Sequence, residues 1–301
     1  MQFLNPKTDF AFKKIFGSDQ SKPILISFLN ALLYDEQPVI VELEIIDPYL
    51  APKIEGMKDT FVDVRARLRD GRLIIIEMQV LNVEGFEKRV LYNAAKAYST
   101  QLMEGEVYTD LSPVVALTIT DFVMFPEAIE MESAYVLKER HTSRDYPQHD
   151  LQLVFVELPK FKKSLEALAG VKDKWLYFLK HARDLQVVPS TMAEVTEIRQ
   201  AFQIANFAGL SREELEVYER KMRYLNDWHG AIALAERLAK EQGEAIGEAK
   251  GEAIGEAKGE AKGRLAMARD IAHQMLAQFD DQKIAELTGL SLDEVAALRQ
   301  S

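Results

Sequence analysis

A hairpin between residues 62 and 79 is the feature that most restricts what this chain can fold into. Its two strands, VDVRARL and RLIIIEMQ, flank the pair Asp70-Gly71. An Asp-Gly pair between two such segments is a strong indicator of a β-hairpin. The second strand is apolar except near its end, which is typical of a strand inside a sheet. The sequence therefore predicts a sheet-containing domain organised around this hairpin.

Two acids and an amide occupy the apolar strands of this hairpin. Asp63 lies on the first strand, and Glu77 and Gln79 share one face of the second, because side chains alternate along a strand. Such groups are costly to bury without partners. Mg²⁺ prefers oxygen ligands, which Asp63, Glu77 and a backbone carbonyl near Met78 would provide, and phosphodiester hydrolysis needs such an ion. The alternative is that Glu77 and Gln79 are ordinary polar residues on a solvated face.

The length of the turn decides whether the two acids meet. A two-residue turn at Asp70-Gly71 would put Asp63 and Glu77 on opposite faces, whereas a three-residue loop from Arg69 to Gly71 would pair them directly. A three-residue loop ends in a left-handed glycine, and Gly71 fits that position. We therefore predict the three-residue loop.

The flanking segments predict helices packed against a mixed sheet. Periodicity indicates helices over 8–33 and 85–103, and strands over 39–49, 113–120 and 151–158. From residue 172 to about 229 the pattern is helical, and Ser211 with Glu214 forms a capping box. We expect an α/β core at 1–165 and a helical extension at 166–230, together one domain of residues 1–230.

Residues 243–263 repeat a tetrapeptide that begins Gly-Glu-Ala. On a helix, residues four apart nearly stack, so the glutamates repel, and each internal glycine costs about 1 kcal/mol relative to alanine. Pairing with a second copy would offset this cost, because glycine and alanine stripes permit close approach. For 231–266 we favour a long helix that dimerises over a flexible linker.

The last segment, 267–301, predicts two short helices around Gly289, the second capped by Ser291 with Glu294. This pattern resembles a helix-turn-helix. Three basic residues stand against six acidic ones there, however, and that balance disfavours DNA. We expect a helical hairpin that serves as an oligomerisation module.

Composition excludes several classes of protein. The 301 residues include no cysteine, which removes disulfide scaffolds, thiolate zinc sites and cysteine nucleophiles, and no nucleotide-binding glycine loop occurs. No apolar run approaches the ~20 residues of a membrane span, and the N-terminus lacks a signal-peptide pattern, so we expect a cytoplasmic protein without membrane contact. The net charge of −11 means that any DNA binding depends on a local basic patch.

Several segments, in order, resemble the Rpn family of recombination-promoting nucleases, also described as PD-(D/E)XK nuclease-family transposases. An Asp, a hairpin and then Glu-Met-Gln is similar to the PD-(D/E)XK signature in its E-x-Q variant. The matching segments are DFAFKKIFG (9–17), VDVRARLRDGRLIIIEMQ (62–79), FEKRVLYNAAKAYSTQL (86–102), GEVYTDLSPVVALTI (105–119) and VELPKF (156–161). The resemblance implies an α/β, restriction-endonuclease-like mixed sheet flanked by helices. It also implies metal-dependent DNA cleavage in recombination, mobile-element biology or phage defence.

The resemblance makes Asp63 and Glu77 the ligands of Mg²⁺, or of Mn²⁺ or Ca²⁺. Gln79 stands where the wider superfamily has lysine. A neutral amide orients water or phosphate but supplies no positive charge. That charge is then expected from one of three basic residues: Lys13, Arg65 or Arg89.

The remaining candidates each have a structural alternative. Asp9 and Lys13 form either an i,i+4 surface pair contributing about 0.3 kcal/mol, or a further metal-binding acid and a phosphate-binding cation. Three other residues are expected to contact phosphate or merely to flank the core: Arg67, Arg89 and Tyr92. Arg65, beside Asp63, joins them as a phosphate contact.

Two functions therefore compete. The first is a divalent-metal-dependent DNA endonuclease with Asp63, Glu77, Gln79 and Lys13 as catalytic residues. The second is a protein interaction module whose nuclease site has decayed and which oligomerises through its C-terminal helices.

Overall fold

A mixed β-sheet organises the first of the two units into which the chain divides, Met1–Tyr224 and Leu225–Ser301. The computed structural model describes residues 2–50 and 59–300. The strands are β1 (Leu43–Ile46), β2 (Tyr49–Leu50), β3 (Thr60–Phe61), β4 (Val64–Leu68), β5 (Leu73–Gln79), β6 (Val114–Thr120), β7 (Glu132–Tyr135) and β8 (Leu151–Glu157). The α-helices are α1 (Asp9–Phe16), α2 (Lys22–Leu33), α3 (Phe86–Ser99), α4 (Val171–His181), α5 (Ser190–Ala193), α6 (Thr196–Ile204), α7 (Arg212–Met275), α8 (Asp281–Thr288) and α9 (Leu292–Gln300).

Six strands form the main sheet in the order β1-β4-β5-β6-β8-β7, and β2 pairs with β3 separately. β6 is parallel to both β5 and β8, and the other pairs are antiparallel. All seven residues of β6 are buried, because a central parallel strand is covered on both faces. The predicted mixed sheet flanked by helices is confirmed.

The two faces of β5 pack against different helices. Ile74 and Ile76 join the larger core, which holds the aromatic residues of α1, α2 and α4, whereas Ile75 packs in a smaller core with Ala94 and Ala97 of α3. The strand alternation read from the sequence therefore sorts side chains into two layers. Polar residues near the end of β5 lie on the side of α3.

The hairpin has the predicted three-residue loop. Leu68 donates its N–H to the carbonyl of Arg72 at 2.8 Å, and Gly71 adopts a φ of 92°. Only glycine takes that left-handed conformation readily, and a Cβ there would also lie 2.9 Å from the hydroxyl of Ser112.

The pairing of the two acids departs from the prediction. The β4–β5 ladder ends at the pair of Val64 with Ile76, and the chain bends at Asp63. Asp63 therefore does not pair with Glu77 in the ladder. The bend also interrupts the strand alternation that would have kept Asp63 beside Arg65.

Capping residues in the sequence correctly indicated where two of the helices begin. The Thr8 hydroxyl accepts from the N–H of Ala11 at the start of α1, and the capping box of Ser211 with Glu214 opens α7. β1 is shorter than the strand expected over 39–49, and β2, β3 and β7 were not predicted. These last strands have two to four residues, too few for alternation to be recognised.

The second unit is helical. The repeat forms part of α7 and is helical there, whereas its bounds as a segment and its dimerisation stay predictions. The end of α7 packs with α8 and α9 around Ala272, Ile284, Leu290 and Val295. Gly289 ends α8 at a φ of 75°. In residues 2–50 and 59–300, no helix is long and apolar enough to cross a membrane.

Candidate active site

A cleft of about 360 Å³ lies where α1, β3, β5 and α3 meet. It brings together six of the residues singled out from the sequence and adds five others. The predicted residues in it are Asp9, Lys13, Asp63, Glu77, Gln79 and Arg89. The additional ones are Asp59, Thr60, Phe61, Met78 and Asn93. Residues far apart in the chain therefore converge on one polar cleft.

Asp63 is the most perturbed acid of the cleft. One carboxylate oxygen accepts from the N–H of Met78 at 2.8 Å, and the other lies 3.4 Å from Nζ of Lys13. Asp63 is only 9% exposed, and this burial is the main reason why its pKa rises to about 6. The Met78 hydrogen bond and Lys13 oppose the rise, whereas Asp9 and Glu77 add to it. Asp63 therefore carries a negative charge for which its surroundings compensate incompletely.

Glu77 is held by α3. Nη2 of Arg89 donates to Oε1 of Glu77 at 2.7 Å and to Oε1 of Gln79 at 2.8 Å. Burial raises the pKa of Glu77 even though Arg89 and Asn93 both lower it. The other end of the Gln79 amide donates to the carbonyl of Leu81. Both ends of Gln79 are thus engaged within the protein, and its oxygen holds Arg89 beside Glu77.

Asn93 was not singled out from the sequence. It is 1% exposed and hydrogen-bonds Glu77, while its Oδ1 has no partner among the described residues. A buried acceptor without a partner is costly, so an uncompensated amide at a cleft points to a group that binds there. Its position four residues after Arg89 on α3 is the sequence signal that would have found it.

The i,i+4 pair expected on α1 is not among the ion pairs of the described residues. Asp9 instead lies 2.9 Å from Nζ of Lys221 on α7, and Lys13 turns to Asp63. Lys14, next along the helix, pairs with Glu214. Tertiary packing therefore separates two side chains that local spacing would have paired.

Three predicted phosphate contacts lie away from this cleft. Arg65 and Arg67 line a second cleft, and Tyr92, 36% exposed, is not among the residues that line either one.

Lys160 donates to the buried carboxylate of Glu157 and to two backbone carbonyls, which is a structural role.

The donor set of the first cleft fits a divalent cation with few protein ligands. In residues 2–50 and 59–300, no group of three or more acids, histidines or cysteines is arranged to hold a metal, so Asp9 does not complete a three-acid site. Four acids nevertheless face two basic residues there. Mg²⁺ keeps several waters and commonly binds through one or two carboxylates plus substrate phosphates. Asp63 and Glu77 match that requirement.

Comparison with known proteins gives one family. A family model described as PD-(D/E)XK nuclease family transposase matches residues 6–235, more than half of the chain. No match was found among curated proteins or among solved structures. The matched region contains every residue of the cleft.

Proposed function

We propose, because this chain belongs to the PD-(D/E)XK nuclease family transposases, that its cleft hydrolyses phosphodiester bonds of DNA with the aid of a divalent metal ion. One observation carries the proposal. Two largely buried carboxylates with raised pKa values, Asp63 and Glu77, share a cleft with Lys13 and Arg89. Structural acids are usually compensated by their neighbours, whereas functional ones are commonly perturbed in this way.

Asp63 and Glu77 would hold the ion, with a backbone carbonyl near Met78 as a further ligand. When bound, Mg²⁺, or Mn²⁺ or Ca²⁺, supplies activation of water and neutralisation of charge on the phosphate. The two acids lie in surroundings that disfavour their charged forms, so a bound cation would stabilise carboxylates whose charge burial makes unfavourable. This links the electrostatics of the cleft to the chemistry of the family.

Lys13 and Arg89 supply the positive charge that Gln79 lacks. Lys13 lies beside Asp63 with a side chain 43% exposed, so it can reach a phosphate entering the cleft. Arg89 is fixed against Glu77 by its bond to Gln79. Gln79 therefore acts as a positioning residue for Arg89, rather than orienting water as the sequence suggested. The positive charge is therefore supplied by Arg89 on α3 instead of by a lysine on β5.

The family description includes transposase, which supports a role in recombination or mobile-element movement. We assign the DNA cleavage to recombination, mobile-element movement or phage defence. Recombination frequency in cells that express the wild type or Asp63→Ala checks this role. Equal frequencies would contradict a role in recombination.

Plasmid nicking tests the cleavage site. Supercoiled plasmid is incubated with wild type, Asp63→Ala and Glu77→Ala in Mg²⁺, Mn²⁺ or Ca²⁺. The matched control is Asp227→Ala, which removes an exposed acid of α7 outside the cleft. Circular dichroism verifies that each variant is folded. We expect nicking by wild type and the control, and loss of nicking in the two cleft variants.

Two outcomes contradict the proposal in different ways. Equal nicking by wild type and Asp63→Ala would reject the assigned site. Folded wild type that nicks no plasmid with any of the three metals would favour the interaction module.

A further inference from the structure

We propose that Arg65 and Arg67 form a second anion site, which binds a backbone phosphate of the same DNA some distance from the bond that is cut. The inference rests on the proposed nuclease function and adds to it a separate substrate contact. It assigns the two arginines to holding the DNA in position and leaves the chemistry to the first cleft.

The site is a cleft of about 300 Å³ between the hairpin and the end of α3. Its lining residues are Arg65, Arg67, Gly71, Leu73, Thr100, Gln101, Asp110 and Ser112. The amide of Gln101 exchanges two hydrogen bonds with the backbone of Ser112 and so closes one wall. Thr100 turns its hydroxyl to the carbonyl of Lys96. The two guanidinium groups are therefore the main donors that remain for a ligand.

Within the described part of the chain, neither Arg65 nor Arg67 forms an ion pair with a carboxylate. By contrast, Arg72 is paired with Asp70 and Arg89 with Glu77. Nε of Arg65 is buried without a hydrogen-bond partner within the described part of the chain, and its guanidinium makes one long contact, 3.5 Å, to the carbonyl of Asp47.

The electrostatics of the cleft point to an anion. Nε of Arg65 is buried, and Arg67 brings a second positive charge into the same cleft. Among the described residues that line the cleft, Asp110 is the one acid, against two arginines. A bound anion would relieve both the desolvation and the repulsion between the guanidinium groups. Phosphate matches the planar fork of donors that arginine presents.

The geometry of the sheet connects this site to the first cleft. Arg65 faces Ile75 and Arg67 faces Leu73 across the β4–β5 ladder, so both lie on the strand face that also carries Glu77. Glu77 lies four positions after Leu73, a distance of about 13 Å along the strand. Phosphates recur regularly along a DNA strand, so a separation of this size spans a small number of nucleotides. A single DNA molecule can therefore occupy both clefts.

Fluorescence anisotropy with a labelled DNA duplex in EDTA tests the site without cleavage. Wild type is compared with Arg65→Gln, Arg67→Gln and the double variant across a series of salt concentrations. Arg69→Gln is the matched control, because it removes the same charge from an exposed position of the same hairpin outside the cleft. Removing one arginine–phosphate interaction lowers the salt slope by about 0.9, which corresponds to about eightfold weaker binding at 0.1 M salt. We expect that reduction in the cleft variants and less than a twofold change in the control.

The outcomes separate this proposal from the proposed function. DNA affinity in the folded cleft variants equal to that of Arg69→Gln would overturn the second site, even if wild type cleaves DNA. Weakened binding in the cleft variants would support it, even if no metal supports cleavage. Absence of DNA binding by wild type in EDTA would overturn the second site, and plasmid nicking with metal would still decide the proposed function. Calorimetry with inorganic phosphate gives the last arm: variants that lose phosphate binding but keep DNA affinity would show a small-anion site and refute the DNA contact.

Discussion

The substitution Asp63→Asn is expected to stabilise the protein at neutral pH while abolishing cleavage. Burial raises the pKa of Asp63 from 3.8 to about 6, so keeping this carboxylate charged destabilises the folded state. Each pKa unit corresponds to about 1.4 kcal/mol, which gives an upper limit of about 3 kcal/mol for the gain in the free energy of unfolding. An asparagine oxygen still accepts from the N–H of Met78. Loss of the pairing with Lys13, whose side chain is 43% exposed, subtracts a fraction of that gain.

The gain depends on pH in a defined direction. Well below pH 4 the carboxyl is protonated in both the folded and unfolded states, and Asp63 contributes nothing to the pH dependence. Between about pH 4 and pH 6 the folded state retains the proton that the unfolded state releases, so wild type loses stability as the pH rises. Above pH 6 the charged carboxylate lowers the free energy of unfolding of wild type by its full amount. Asp63→Asn removes this loss, so the stability difference between the variant and wild type should grow from pH 4 to pH 6 and then stay constant.

Urea denaturation at pH 4, 5, 6, 7 and 8 measures this difference. Asp227→Asn is the control, because it neutralises an exposed acid of α7 and should show no such pH-dependent advantage. Mg²⁺ provides a second arm: it should stabilise wild type above pH 6 and have little effect on Asp63→Asn, since a ligand that binds only the folded state stabilises it. An Asp63→Asn protein no more stable than wild type at pH 8, or a gain independent of pH, would refute the reasoning.

Three further predictions concern other parts of the chain. Arg89→Ala should reduce plasmid nicking about 100-fold or more. It should also move the acidic limb of the pH profile to higher pH, because Arg89 lowers the pKa of Glu77. Lys88→Ala, which changes the exposed neighbouring residue, should nick normally. Lys160→Met leaves Glu157, which is 0% exposed, without its cation, and urea unfolding should show a loss of about 3 kcal/mol; no loss would contradict this pairing. A Cβ at Gly251 meets no atom within 4 Å, so Gly251→Ala should stabilise the helix by about 1 kcal/mol in thermal circular dichroism. Weaker self-association of this variant in sedimentation would support pairing of copies through the glycine stripe. Unchanged sedimentation would contradict that pairing.

The fold was accessible from the sequence wherever short-range chemistry decides the structure. The three-residue loop follows from a glycine at the one position that needs a positive φ, and Thr8 and Ser211 begin helices because their hydroxyls satisfy nearby N–H groups. The short strands β2, β3 and β7 were missed, because two to four residues carry little periodicity.

The candidate site was accessible only in part. Asp63 and Glu77 stand out because acids among buried strand residues demand an explanation, and the family match covers them. Asn93 did not, because an asparagine on an amphipathic helix is ordinary until the helix is seen to turn it towards Glu77.

By itself, the sequence determined the hairpin, its register, the helix starts and the two acids, because each depends on residues close together in the chain. Only the tertiary structure decided which charges meet. Lys13 lies beside Asp63 rather than Asp9, and Gln79 holds Arg89. Arg65 and Arg67 line a cleft of their own, farther along the hairpin from Glu77. Partners of long polar side chains depend on how distant elements pack, and strand or helix periodicity carries no information about that packing.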